Sequence, residues 1–312
     1  RLLRALLPRS LHLRLNLLRP NPPLPHNPRP ETEADPMTFE DLFKGIPGAA
    51  EFVSGMPKVW PVSLLQDVYA PFGALHLVGL ALMGGAVILL NLRLMGAGLV
   101  EEQPSTMERN LRPFFIIGLA IVLSTGVIIG MLNSDKLYKS VPFFIKMISL
   151  LSACIFSFGV TNSIAKSEGK TSTSNLVWGG IAFILWLVAL GTFSTDAISS
   201  PGIFHPIYFG YAILLIFGQR TRWIAAAAFA LLFGGMFVMF WIAGFNTYDD
   251  IYMHTSQYIT ISSAVILMAL YGYEIFKGNA AGGTPLAKVL ALFSILIWVT
   301  VAAGGRWIGF AA

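Results

Sequence analysis

The sequence predicts an all-α integral membrane protein with about eight transmembrane helices, arranged as two tandem four-helix units. Of the 312 residues, 55% are hydrophobic and only 12% are charged, whereas a soluble domain carries about 25% charged residues. Apolar stretches of 18 or more residues, long enough to span a bilayer, recur along the chain. Much of the Lys and Arg behind the net charge of +5 lies between these stretches, which indicates membrane topology rather than binding to nucleic acid.

The N-terminal stretch differs in composition from the rest of the chain. Residues 1–36 are rich in Arg, Leu and Pro, and their acids occur only at Glu31, Glu33 and Asp35. A signal peptide needs a continuous apolar core, and Arg and Pro residues interrupt any such core here. We predict that residues 1–36 are disordered or a mis-assigned start before Met37. The alternative is a basic arm on the membrane surface.

Residues 37–68 are a mixed segment, predicted to be extracytoplasmic or interfacial. Four apolar side chains recur there at helical spacing: Phe39, Leu42, Phe43 and Ile46. They would form one face of a short helix that lies on the membrane.

Eight predicted spans follow this segment. They cover residues 69–95, 113–132, 142–164, 176–195, 203–218, 223–245, 254–276 and 286–310. Two of them contain glycine pairs, Gly84–Gly85 and Gly234–Gly235. Such pairs predict close packing between helices.

Loop charges predict the orientation of these spans. The loops after the odd-numbered spans hold most of the basic residues: Arg93, Arg109, Arg112, Lys166, Lys170, Arg220, Arg222, Lys277 and Lys288. The opposite loops hold mainly Lys136, Lys139, Asp135, Asp249 and Asp250. Because basic loops face the cytoplasm, we expect a multi-pass membrane protein with its N- and C-termini outside, which means the periplasm if the cell is Gram-negative.

An internal repeat divides the spans into two groups of four. His76 opens the first span and Arg93 closes it seventeen residues later, and His205 and Arg222 repeat that spacing at the fifth span. Spans four and eight each carry a central Trp. The two predicted units are residues 69–196 and 201–312. Each contains an even number of spans, so both have the same orientation, unlike the inverted repeats of many transporters.

Ionisable side chains inside the apolar runs are candidate functional residues, because a charge in the hydrocarbon region is costly. His76 and Lys146 each lie about five residues inside a span from the outer side, at a depth of about 7–8 Å. His205 and Arg306 lie near span ends on the same side. The predicted site is therefore in the outer leaflet and contains His76, Lys146, His205 and Arg306.

These groups suit a cofactor, and they also suit simpler roles. Imidazole is a common ligand of metals and haem iron, and a desolvated lysine presents an amine, so His76 and Lys146 are the candidate metal ligands. Arg306 would pair with a propionate or another anionic group. Alternatively, the two histidines hydrogen-bond to neighbouring helices. Lys146 would then extend to the interface along its apolar stem, and Arg306 would anchor the helix end there.

Residues 74–85 (ALHLVGLALMGG), followed by Asn91-Leu92-Arg93, resemble the first helix of a broad group of bacterial four-helix membrane proteins. That group includes the CopD-type copper-resistance proteins and the HemJ-type protoporphyrinogen oxidases. Residues 142–146 (PFFIK) are similar to the motif that begins the third helix of the HemJ-type enzymes. The resemblance implies haem b as the cofactor, with His76 and Lys146 as its axial ligands.

A bacterial family built from the same four-helix unit resembles the chain further. Its last helix carries a Trp and ends in Gly-Arg-Trp-Ile, as do Trp298 and residues 305–308 here. The resemblance covers residues 70–196 well and 201–312 weakly. Thr260 stands where the second unit would align with Lys146, so the resemblance implies one such site rather than two.

Three functions follow as hypotheses, and whether the chain is an enzyme stays open. The first is haem b binding for electron transfer or quinone-linked oxidation. The second is an accessory subunit of a larger membrane complex. The third is copper or small-solute transport, which requires His76, His205 and His254 to converge. The single cysteine excludes an intrachain disulfide, and no phosphate loop, dinucleotide fingerprint or zinc spacing indicates a soluble enzyme.

Overall fold

The computed structural model describes residues 37–97, 99–191, 206–242, 244, 250–277 and 282–308. Within these residues the regular structure is helical and contains no strand. Seven of the helices are long and apolar enough to cross a membrane, and an eighth apolar helix is shorter. The predicted class, an all-α multi-span membrane protein, is confirmed. Residues 1–36 lie outside the described part of the chain.

The helices are numbered in chain order. They are α1 (Phe39–Phe43), α2 (Ala49–Gly55), α3 (Tyr69–Met95), α4 (Pro104–Leu132), α5 (Ser134–Leu137), α6 (Val141–Lys166), α7 (Thr173–Gly191), α8 (Pro206–Phe217), α9 (Arg222–Ile242), α10 (Asp250–Lys277) and α11 (Pro285–Trp307). Short 3-10 turns cover Met56–Lys58 and Val62–Val68. The twelve residues of α8 rise about 18 Å, less than the hydrocarbon thickness of about 30 Å.

Helix α4 begins earlier than the predicted second span, at Pro104 rather than Pro113. Pro104 suits the first turn, where the backbone N–H that it lacks has no partner within the helix. The helix then continues through Pro113. Its first two turns carry polar residues, so a search for apolar stretches places the start too late. One consequence is that Glu108 is a buried helical residue rather than part of a loop.

The apolar core forms two main clusters. One joins α3, α4, α6, α7 and α11, and the other joins α8, α9 and α10 with Leu292 of α11. Helix α11 has the largest buried share of the candidate spans. It contributes to the first cluster through Ala287, Ala291, Ile297, Trp298 and Val301. The division into units 69–196 and 201–312 stays a prediction. Helix α11 belongs to the second predicted unit but contributes residues to both core clusters.

The closest approach between α3 and α4 is made by glycines other than the predicted pairs. A Cβ on Gly118 would lie 2.6 Å from the backbone nitrogen of Met83 and 2.8 Å from the carbonyl oxygen of Gly79. By contrast, a Cβ on either glycine of Gly84–Gly85 would meet no other atom within 4 Å, and at Gly234–Gly235 the nearest contact would be an ordinary 3.9 Å. Gly79 and Met83 share a helix face because they are four residues apart, and Gly84–Gly85 is rotated away from it.

Residues 37–68 pack over the end of the molecule at which α3 begins. The Phe39 ring lies 5.6 Å from the ring of Phe143 and 5.2 Å from that of Phe144, both at the start of α6. The Ser134 hydroxyl donates a 2.6 Å hydrogen bond to the carbonyl of Val53. Several large apolar side chains of the segment remain exposed, among them Phe52, Trp60 and Leu64. Their exposure is consistent with the predicted interfacial position.

The predicted short helix in this segment is present but ends before Ile46. A capping box begins α1: the Thr38 hydroxyl accepts from the backbone of Asp41, and the Asp41 carboxylate accepts from the backbone of Thr38. The hydrogen bond from the Thr38 side chain lowers the pKa of Asp41. The helix stops at Phe43, and Ile46 follows in a bend. The apolar face therefore contains Phe39, Leu42 and Phe43 only.

Candidate functional site

His76 lies two turns into α3 and is held by Thr125 of α4. The distance from His76 Nδ1 to Thr125 Oγ1 is 2.8 Å. The hydroxyl of Thr125 donates its own proton to the carbonyl of Ile121, so it accepts from the imidazole. On this basis we assign the proton to His76 Nδ1, which leaves the lone pair on Nε2. Gly126 leaves room for the ring, since a Cβ there would lie 3.3 Å from His76 Cε1.

Lys146 lies in α6, where it packs against two glycines near the end of α11. A Cβ on Gly304 would lie 3.2 Å from Lys146 Cβ and 3.3 Å from the carbonyl oxygen of Pro142. A Cβ on Gly305 would lie 3.6 Å from Lys146 Nζ. Because Gly304 and Gly305 have no side chains, Lys146 packs directly against the backbone of α11. We name this contact the glycine seat. The two sequence motifs at 142–146 and 305–308 meet at this contact.

We group His76 and Lys146 as one candidate site, named here the His–Lys site. Their helices, α3 and α6, both pack against α11, and the charge of Lys146 acts electrostatically on the imidazole of His76. Among the described residues, Lys146 has neither a hydrogen bond nor a salt bridge. Ser149 follows Lys146 by three residues, on the same helix face, and its buried hydroxyl has no hydrogen-bond partner. The site therefore offers a nitrogen lone pair, an amine and a hydroxyl that the described protein groups do not satisfy.

The other predicted site residues fall in different places. Arg306 follows the glycine seat directly and is exposed at the same end of the molecule. His205 lies outside the described residues, and so does the side chain of His254. The convergence of histidines required for copper transport stays a prediction. Among the residues that the structure describes, no group of three or more His, Cys, Asp or Glu side chains could hold a metal ion.

A larger apolar cavity lies beside α11, among α7, α8 and α10. Its volume is about 330 Å³, and its walls are almost entirely apolar. Ala303 and Trp307 of α11 line this cavity. Gly304 and Gly305, which lie between them in the sequence, pack against Lys146 instead. The Trp186 indole N–H at its wall donates to Thr300 Oγ1 at 3.0 Å. The cavity suits an apolar chain rather than a polar ligand.

Three contributors to the His–Lys site were not identified as such from the sequence. Thr125, Ser149 and Gly304 are small residues in apolar runs, where Thr and Ser commonly bond to their own helix. The sequence does contain a signal for Thr125. Helices α3 and α4 are antiparallel neighbours, so a polar residue near the end of α4 lies at the same depth in the membrane as His76 near the start of α3. Ser149 is visible only as the residue one turn after Lys146.

Comparison with known proteins assigns the chain to one family. A model described as a family of unknown function (DUF6644) matches residues 62–199 and 207–311, which is most of the chain. No curated protein and no solved structure matches it.

Proposed function

The chain belongs to this family of unknown function, and we propose that it holds haem b at the His–Lys site and serves electron transfer or quinone-linked oxidation. The observation that carries the proposal is the state of His76. With the proton assigned to Nδ1, that N–H donates to Thr125, and the Nε2 lone pair is left for another partner. Histidines that ligate metals are held in this way, with the second ring nitrogen donating to a fixed acceptor.

Lys146 would be the second ligand. Its amine has no acid beside it among the described residues, so no carboxylate competes with a cofactor for it. The seat on Gly304 and Gly305 fixes the stem and limits where Nζ can go. Nitrogen donors of this kind suit haem iron. By the chemistry of their nitrogen atoms, His76 and Lys146 therefore fit the haem ligands that the resemblance implies.

The surroundings of the site support a membrane redox role. When bound, haem b supplies one-electron chemistry at its iron. The chain's part is to fix the two nitrogen donors and to exclude water, which the aromatic contacts of Phe39 over α6 would assist. The large cavity on the other side of the glycine seat would take the isoprenoid chain of a quinone. A site in the outer leaflet of a bacterial inner membrane is part of the same proposal.

The test is the haem content of the purified full-length chain, produced with ample haem. We expect a Soret band and a b-type pyridine haemochrome from the wild type. Lys146→Met and His76→Ala should each lower the haem content at least tenfold, because each removes one of the two nitrogen atoms that would hold the haem. Lys139→Met is the matched control: it removes a largely exposed lysine whose ammonium lies 4.0 Å from Glu40, and its haem content should equal that of the wild type.

Two outcomes would contradict the proposal. One is a wild type that stays colourless under full haem supply. The other is a His76→Ala variant that keeps its haem. If a colourless chain instead co-purifies with other membrane proteins in fixed stoichiometry, the accessory-subunit hypothesis gains support.

A further inference from the structure

At the end of the molecule opposite the His–Lys site, one small cavity is lined by three residues whose buried side-chain oxygen atoms have no hydrogen-bond partner in the described part of the chain. They are Asn91 Oδ1 of α3, Glu108 Oε1 of α4 and Thr161 Oγ1 of α6. Among the described residues only one other buried polar side-chain atom lacks a hydrogen-bond partner. The cavity has a volume of about 20 Å³, and roughly 10–15 Å³ is enough for one water-sized occupant. We name this cluster the Glu–Asn–Thr site.

The hydrogen bonds of the Asn91 side-chain amide show which of its two end atoms is the oxygen. Its Nδ2 donates to the carbonyl of Val87 at 2.8 Å and to Ser294 Oγ of α11 at 3.1 Å. Because the carbonyl of Val87 can only accept, the amide atom facing it is the nitrogen, and the opposite atom is the oxygen. That oxygen is buried on the cavity side, and its side chain is 1% exposed. The site therefore presents an amide oxygen, which can only accept.

Thr161 reaches the site from a distorted part of α6. Residues Ser157–Thr161 form a π-helical turn within the otherwise α-helical α6. Such turns are rare and often occur at functional sites. Two side chains of neighbouring helices bond to this turn: Asn175 Nδ2 donates to the carbonyl of Gly159 at 3.1 Å, and Trp298 Nε1 donates to Ser157 Oγ at 2.9 Å. The turn is held in place from α7 and α11.

Glu108 differs from Glu274, a carboxylate near the end of α10, in its hydrogen bonds. The oxygens of Glu274 accept from the backbone N–H groups of Gln219, Arg220 and Thr221 and from the Thr221 hydroxyl. Glu274 therefore acts as a cap for the start of α9. Glu108 has no such set of donors, although its side chain is only 5% exposed. A buried carboxylate in this condition requires a counter-charge and a donor or ligand.

Lys166 supplies part of the counter-charge but no hydrogen bond. Its Nζ lies 3.7 Å from Glu108 Oε1, and its side chain is 51% exposed. Lys166 can therefore move to solvent at little cost. Arg112 also lines the cavity, and its side chain is exposed. The one carboxylate in the site thus has mobile cations nearby and no fixed partner.

We propose that the Glu–Asn–Thr site binds a single monovalent cation, with Na⁺ as its probe. The ligands are the carboxylate of Glu108, the amide oxygen of Asn91 and the hydroxyl of Thr161. Hard cations take oxygen ligands of these three kinds, and a single carboxylate balances one positive charge. In transporters, interrupted helices coordinate Na⁺ in comparable surroundings. Entry of the ion releases Lys166 to solvent, so the lysine competes with the ion.

The experiment is thermal unfolding of the purified full-length chain in NaCl and in choline chloride at equal ionic strength. We expect the melting temperature to rise saturably with Na⁺. Glu108→Gln should abolish the rise, and the control Glu101→Gln, an exposed acid in the loop before α4, should keep it. Lys166→Gln should lower the half-saturating Na⁺ concentration at least threefold. Lys170→Gln, an exposed lysine in the next loop, should leave it unchanged.

Thr161→Val keeps the proposal testable if Glu108→Gln does not fold. This variant removes one ligand without changing the charge of the site, and it should raise the half-saturating concentration at least fivefold. Melting temperatures that do not depend on the cation would mean that an ordered water alone fills the cavity, and they would overturn the proposal. An equal Na⁺ response in wild type and Glu108→Gln would also overturn it. Haem content does not enter this test, so its outcome is independent of the proposed function.

Discussion

The His–Lys site and the Glu–Asn–Thr site lie at opposite ends of the same helices. Helices α3, α4 and α6 contribute to both, and α11 contacts both through Gly304 and Ser294. Fifteen residues separate His76 from Asn91 along α3, and the same number separates Lys146 from Thr161 along α6. At 1.5 Å per residue, the two sites are about 22 Å apart.

The two sites differ in the atoms that they offer. The His–Lys site offers a nitrogen lone pair and an amine, whereas the Glu–Asn–Thr site offers oxygen acceptors around one carboxylate. Nitrogen donors suit a transition-metal centre, and oxygen donors suit a hard cation. Under the two proposals, one helical frame would hold two unlike ligands, because the side chains at each end differ in the donor atoms that they offer.

The largest expected effect on the free energy of unfolding comes from a bulky side chain in the glycine seat. Gly304→Val places branched methyl groups against Lys146 and the backbone of α6, where a Cβ alone would already be 3.2 Å from its nearest atom. We expect the free energy of unfolding to fall by about 2–3 kcal/mol, measured as a lower melting temperature in detergent. Gly84→Val is the matched control and should change it by less than about 0.5 kcal/mol. Equal losses in the two variants would contradict the seat.

A smaller effect is expected where α11 bonds to the π-helical turn. Trp298→Phe removes the N–H that Ser157 accepts and should lower the free energy of unfolding by about 1–1.5 kcal/mol. It should also weaken the response to Na⁺, since the turn carries Thr161. Trp186→Phe removes a similar bond, to Thr300, and should leave that response unchanged. If the melting temperature of Trp298→Phe responds to Na⁺ as that of the wild type does, the π-helical turn does not position Thr161 for the ion.

The smallest effect is expected at the hydrogen bond that holds His76. Thr125→Val keeps the shape of the side chain and removes the acceptor for His76 Nδ1–H. We expect a loss of about 0.5–1 kcal/mol in unfolding free energy, together with a changed midpoint potential of the bound haem. Ser124→Ala serves as the control, because its hydroxyl is exposed and bonds only to carbonyls of its own helix. A midpoint potential equal to that of the wild type would show that Thr125 does not position the imidazole.

The sequence predicts the fold class and the bounds of several spans well, because apolar length determines both. The first predicted span, 69–95, coincides with α3. His76 and Lys146 were also identifiable, since an ionisable residue within an apolar run is conspicuous. Glu108 was not, because it looks like an ordinary charged residue beside a span until α4 is seen to begin at Pro104. Burial of a single carboxylate depends on helix start and packing, which composition does not reveal.

The π-helical turn at Ser157–Thr161 has a consequence for the evolution of the family. An α-helical turn closes its hydrogen bond over four residues and a π-helical turn over five, so the turn amounts to one inserted residue. If the turn serves the proposed cation site, members of the family that bind no cation at this position should lack both that residue and the carboxylate. Their sequences should be one residue shorter between the counterparts of Lys146 and Lys166, and this difference in length would test the link between the turn and the cation.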